Sequence, residues 1–177
     1  VCFSVCAYDI GAVGIYNSHS APETIPWLRL QYITIPIFAV SLIWFVSSYI
    51  VKIRNLVLYS YTAYCFIVLL VISFDRSSLT LSKENPLIME LNLPLGIALT
   101  YYEATASQFL NIFNMSSIVV FVYISWLNIR SFLKTKEQKN LLFAIAFAVF
   151  IVGVLNDIAV SIRLYQSLYI LEFLYMS

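Results

Sequence analysis

Long charge-free apolar runs alternate with short polar breaks along this chain, and one stretch breaks the rhythm. Residues 30–51, 55–74 and 104–129 contain no Asp, Glu, Lys or Arg, and 140–156 is shorter but equally uncharged. A helix needs about 20 apolar residues, rising 1.5 Å each, to cross a bilayer, so each of these runs predicts a transmembrane span. Two further spans are expected at the ends, in "VCFSVCAYDIGAVGIY" and "SLYILEFLYMS". That gives six visible spans in an all-α polytopic helix bundle. No Met precedes Val1 and the final residues are still apolar, so the chain is expected to be an internal piece of a longer protein. Residues 1–177 then form one membrane-embedded domain, truncated at both ends.

Composition agrees with the pattern. The chain is 62% hydrophobic and 11% charged, where soluble domains carry roughly a quarter charged residues. The lipid bilayer is therefore its first partner. A net charge of +1 gives no reason to expect a nucleic-acid partner. Cys2, Cys6 and Cys65 lie in apolar spans without metal-ligand spacing and read as packing residues. The first segment lacks the basic start and small-residue cleavage pattern of a signal peptide. No phosphate-binding Gly loop, nucleophile elbow or two-histidine metal motif occurs. Catalysis within this segment is not expected, no metal site is predicted, and no cofactor is indicated.

Basic residues orient the spans. Lys52 and Arg54 share one tight connection, and Arg130, Lys134, Lys136 and Lys139 crowd another, so six of the ten basic residues fall in two short loops. Short cytoplasmic loops are enriched in Lys and Arg. With both loops inside, the spans at 30–51 and 104–129 run inward and the span at 55–74 runs outward. That parity leaves no room for a crossing between them, so 75–111 is expected to be an extracytoplasmic insertion.

The stretch that breaks the rhythm, "LNLPLGIALTYYE" at 91–103, lies in that insertion. Leu91, Leu93, Leu95, Ile97, Leu99 and Tyr101 alternate with Asn92, Pro94, Gly96, Ala98, Thr100 and Tyr102, the period-2 pattern of a half-buried strand. Pro94 demotes it to an edge or bent strand. A lone strand in lipid cannot satisfy its backbone, so it needs a partner or an aqueous face. The preceding "SSLTLSKENPLIME" offers a turn at Lys83–Pro86. A small hairpin around 79–103, lying on the mouth of the bundle, is predicted. An interfacial or re-entrant segment is the alternative. Before it, "NSHSAPETIPWLR" reads as an external loop. His19, in that loop, has no second ligand nearby and reads as a surface residue.

A carboxylate in hydrocarbon is expensive and usually faces a bundle interior, so Asp9, Asp157 and Glu172 are functional-site candidates. Asp9 and Tyr16 share a helix face, as do Tyr169 and Glu172. Arg29 is a candidate counter-charge, and Asn156 adjoins Asp157. These groups equally suit a purely structural role, pairing with one another to fix helix register. Trp27 and Trp44 read as interfacial anchors, and Gly11 and Gly14 as sites of close helix packing.

"YDIGAVGIYNS" at 8–18, "PWLRLQYITIPI" at 26–37, "LTYYEA" at 99–104 and "LNDIAVSIRLYQSLYILEFLYM" at 155–176 together resemble the seven-helix membrane input regions of bacterial signalling proteins. Those regions precede histidine kinase, hybrid histidine kinase or diguanylate cyclase modules. The family pattern falls on Tyr8 and Asp9, on Trp27, Arg29 and Gln31, on Tyr102 and Glu103, on Asn156 and Asp157, and on Glu172. A Pro-Gly expected after the Tyr-Glu is replaced by "ATASQ". The resemblance implies a sensor domain in the bacterial inner membrane, one further helix upstream, and a homodimer formed through the parent protein. It also implies a small ligand or a proton as the signal, passed to a cytoplasmic output module. The signal-sensing candidates are then Asp9, Tyr16, Trp27, Arg29, Gln31, Tyr102, Glu103, Asn156, Asp157, Tyr169 and Glu172. A small transporter and an assembly subunit binding other membrane helices are the competing classes. Against the transporter, the chain shows no internal repeat and no pair of broken helices in corresponding halves.

Overall fold

The computed structural model describes residues 2–75, 79–81, 87–93, 97–103 and 107–161. Among them are five helices and two strands: α1 (Cys2–Tyr16), α2 (Ala21–Tyr49), α3 (Asn55–Phe74), β1 (Leu87–Leu93), β2 (Ile97–Glu103), α4 (Gln108–Thr135) and α5 (Gln138–Ser161). Helices α2 to α5 are long and apolar enough to cross a membrane. Helix α1 has 15 residues, about 22 Å at 1.5 Å each, and is the shorter apolar element. The last expected span lies outside the described residues, as do Tyr169 and Glu172, so six spans are not reached among them.

Ring contacts and interhelical hydrogen bonds define the bundle. Trp44 meets Tyr59 edge-on at 5.6 Å, setting α2 against α3. The Tyr61 hydroxyl donates to Ser117 Oγ at 3.0 Å and Ser116 Oγ to the Tyr64 hydroxyl at 3.1 Å, setting α3 against α4. Phe121 meets Phe147 and Phe150, setting α4 against α5. Phe38 meets Phe150 and Phe45 meets Phe143, which closes α5 back onto α2. With Arg29 against Asp75 at the far end of α2 and α3, and Ser131 against Asn140 at the near end of α4 and α5, the contacting numbers rise on one helix as they fall on its neighbour, so neighbours run antiparallel. The four long helices therefore form a closed up-and-down ring around Ile43, Val46, Val68, Ile72, Phe113 and Ile124, all of them buried.

This ring places both basic connections at one end. The turn at 50–54 joins α2 to α3, and Lys136 closes α4 in the left-handed conformation, φ 58°, its N–H bonded to Phe132 O at 2.7 Å. Asn140, buried, donates from Nδ2 to Ser131 Oγ and Thr135 Oγ1, tying the start of α5 to the last turn of α4. The opposite end holds Tyr16, the start of α2, Asp75 and the strands.

Three expectations need correction. The external loop at 17–29 shrinks to 17–20, because α2 begins at Ala21. Pro22 falls in the first turn, where its missing N–H has no intrahelical partner to lose, and Glu23 Oε2 accepts the His19 N–H at 2.9 Å. The alternating run at 91–103 is two strands, not one: Leu93 pairs with Ile97 and Leu91 with Leu99 in an antiparallel ladder, and Leu87 pairs with Glu103. The reversal thus falls between Leu93 and Ile97, where Pro94, with no N–H for a ladder, and Gly96 stand in sequence. The turn expected at Lys83–Pro86 falls on residues outside the described set. Third, Cys2 and Cys6 are exposed, and only Cys65 is packed inside.

Candidate functional site

The site is built at the end of the bundle away from the basic connections, and its floor is the seam between α1 and α2. These helices run antiparallel at close range. A Cβ on Gly14 would lie 2.1 Å from the Trp27 ring, and one on Gly11 would lie 2.6 Å from Gln31 Cγ. The two glycines let the Trp27 indole and the Gln31 side chain lie flat against α1. Deeper along the seam, Ser4, Val5 and Tyr8 face Thr34, Ile35 and Phe38 across a small crevice.

Polar atoms along these two helices are incompletely satisfied. Asp9 Oδ1, Arg29 Nε and Gln31 Nε2 are each buried with no hydrogen-bond partner among the described residues. An unpaired buried polar group costs about 1–3 kcal/mol, more when charged, so a partner for any of these atoms would stabilise the packing of α1 on α2. Gln31 is 7% exposed, which excludes bulk solvent as its partner.

The strands roof the seam. Tyr101 of β2 is buried and meets Tyr16, at the end of α1, edge-on with ring centroids 5.2 Å apart. Thr100, its neighbour along the strand, is exposed, and Tyr102 is half-buried. The alternation sets one face of β2 against α1 and α2, as the element contacts require.

A knot of hydrogen bonds centred on Asp75 fastens the connection to this roof. Its Oδ1 accepts the Leu79 N–H at 3.1 Å, and its Oδ2 accepts the Thr80 N–H at 2.7 Å and the Thr80 hydroxyl at 2.5 Å. Arg29 Nη2 donates to the Asp75 carbonyl at 2.9 Å, and the Thr80 carbonyl accepts the Ser107 N–H, at the start of α4. The α2 helix, the end of α3 and 79–81 thus meet at Asp75, and Thr80 carries the link on to Ser107, the cap of α4.

Of the candidate residues, the structure gathers Tyr16, Trp27, Arg29 and Gln31 into this end, with Asp9 on the same α1. Tyr102 and Glu103 close β2. Asn156 Nδ2 donates to Asp157 Oδ1 at 3.0 Å near the end of α5, so these two interact with each other. Sequence reasoning missed Asp75 and Tyr101 as site residues. Asp75 follows a charge-free run; the one signal was Thr80 in "RSSLT" after it, whose hydroxyl is one of the three donors to the carboxylate. Among the described residues no group of His, Cys, Asp and Glu is placed to hold a metal ion.

No family model, curated protein or solved structure matches this chain.

Proposed function

We propose that this chain is the membrane-embedded sensing domain of a bacterial signal-transduction protein, multi-pass in the inner membrane. The basic end is cytoplasmic and the strand pair lies on the outer face. The observation that carries the reading is the roof over the α1–α2 seam: an edge-on Tyr16–Tyr101 contact above a helix pair in which Asp9 Oδ1, Arg29 Nε and Gln31 Nε2 lack partners among the described residues. A receptor needs two packings that a signal distinguishes, and a ligand without differential affinity shifts nothing. Unpaired buried groups supply such a difference, because a proton or small polar ligand that satisfies them stabilises one arrangement over the other. Motion of α1 and the strands then passes through the ring to the helix that leads into a cytoplasmic histidine kinase or diguanylate cyclase module.

The test is made in the full-length protein, with Asp157→Asn and Gln31→Leu scored for membrane insertion and for output. Normal insertion with a biased or locked output supports the sensing role. Unchanged output from both fully expressed variants across inducing conditions contradicts it, and uptake of a solute by liposomes containing the chain would favour a transporter instead.

A further inference from the structure

We infer that the basic end of the bundle is a binding surface for anionic phospholipids. The inference rests on the reading of α2 to α5 as membrane spans. Lys52 and Arg54 are far in sequence from Arg130, Lys134, Lys136 and Lys139, yet the antiparallel ring brings both connections to one end. All six cations are exposed. Glu137 is the only carboxylate in the two connections, and it is taken up by Lys139 at 2.9 Å, leaving five basic side chains without a carboxylate neighbour in these loops.

The surroundings of these cations point to an amphipathic ligand rather than a free anion. Trp126, Ile129, Arg130 and Leu133 follow the i, i+3, i+4, i+7 spacing of one helix face, and all four are exposed. That face of α4 is an apolar ladder with a cation set between its rungs. The Arg130 guanidinium lies over the Trp126 ring, 5.4 Å from its centroid, and Lys136 Nζ lies 5.6 Å from the Phe132 centroid. Each ring holds its cation one turn away near the end of α4, and the indole suits the headgroup layer. Trp44, Tyr49 and Tyr59 stand exposed at the same end, on α2 and α3. An acyl chain along the ladder with its phosphate between Arg130 and Lys134 uses both halves of the surface. A soluble phosphate uses only the cations, whose reach is screened within about 10 Å at ordinary salt.

The probe is Trp126 fluorescence in bilayers containing brominated phosphatidylglycerol or brominated phosphatidylcholine, in protein carrying Trp27→Phe and Trp44→Phe. At equal mole fraction the anionic lipid should quench Trp126 about twofold more, a preference that falls with added salt. Arg130→Gln, Lys134→Gln and Lys136→Gln together should equalise the two lipids. Equal quenching before any charge is removed overturns the proposal and leaves the membrane reading standing. A preference that survives the triple substitution overturns its assignment to these cations. Absence of quenching by either lipid would remove the membrane reading and this inference with it.

Discussion

Arg29, in α2, donates to the main-chain carbonyl of Asp75, in the residue that ends α3, at 2.9 Å. The carboxylate of the same Asp75 accepts three donors from Leu79 and Thr80. One residue therefore serves two partners with different atoms, and the two links can be cut separately. Asp75→Ala removes the carboxylate and leaves buried donors on 79–80 unpaired, at about 1–3 kcal/mol for each that finds no substitute. Thermal unfolding in detergent should show a clear fall in Tm for Asp75→Ala and a smaller one for Asp75→Asn, which keeps one acceptor. Equal stability of Asp75→Ala and the parent would remove the knot from the account.

The α1–α2 seam predicts a rescue. Gly14→Ala puts a methyl where the Trp27 ring lies, 2.1 Å away, so the indole must move or the helices separate, at about 1–3 kcal/mol. Trp27→Leu in the same chain clears the space. The double variant should recover part of the loss measured in Gly14→Ala alone, and tryptophan emission of Gly14→Ala should shift as Trp27 leaves its packed position. Additive losses would contradict the contact.

Lys136 is the one described non-glycine residue with positive φ, at 58°. Lys136→Gly relieves that conformation and should leave stability unchanged or raise it by about 0.5–1 kcal/mol, whereas Lys136→Val should lower it by about 1–2 kcal/mol. Chemical denaturation of the two variants side by side reads the difference. If Val is tolerated as well as Gly, the α4–α5 turn does not have this geometry.

Tyr61 and Ser117 are linked across α3 and α4 by a buried hydrogen bond of 3.0 Å. A double-mutant cycle with Tyr61→Phe and Ser117→Ala should give a coupling of about 0.6 kcal/mol, the mean for such bonds within membranes, and no more than about 1.7 kcal/mol. Coupling indistinguishable from zero would separate the two helices at this level.

The long charge-free runs made α2 to α5 legible in the sequence, because in lipid a span must be both apolar and about 20 residues long. Their ends were less legible. Ala21 starts α2 well before the apolar run, since Pro22 and Glu23 are as good for a first turn as for a loop. The clustered Lys and Arg implied that both connections share an end, and the antiparallel ring puts them there. Pairing within 87–103 was misread, as period-2 alternation continues through Pro94 and Gly96 and drew the whole run into one strand, although these two residues stand where the chain reverses. Arg29 stood out as a counter-charge in an apolar context, whereas Trp27 and Gln31 entered as candidates only through the family resemblance. Asp75 did not stand out, because two of its three donors are main-chain N–H groups that no spacing rule reveals.

The central claim is that the strand pair and the basic connections lie on opposite sides of the membrane. Cysteines at Thr100, exposed on β2, and at Lys134, exposed at the end of α4, test it in a chain with Cys2, Cys6 and Cys65 replaced, probed in intact cells with an impermeant thiol reagent. Thr100→Cys should be labelled from outside, and Lys134→Cys only after the membrane is permeabilised. Labelling of both positions from the same side, or of Lys134→Cys alone in intact cells, would contradict it.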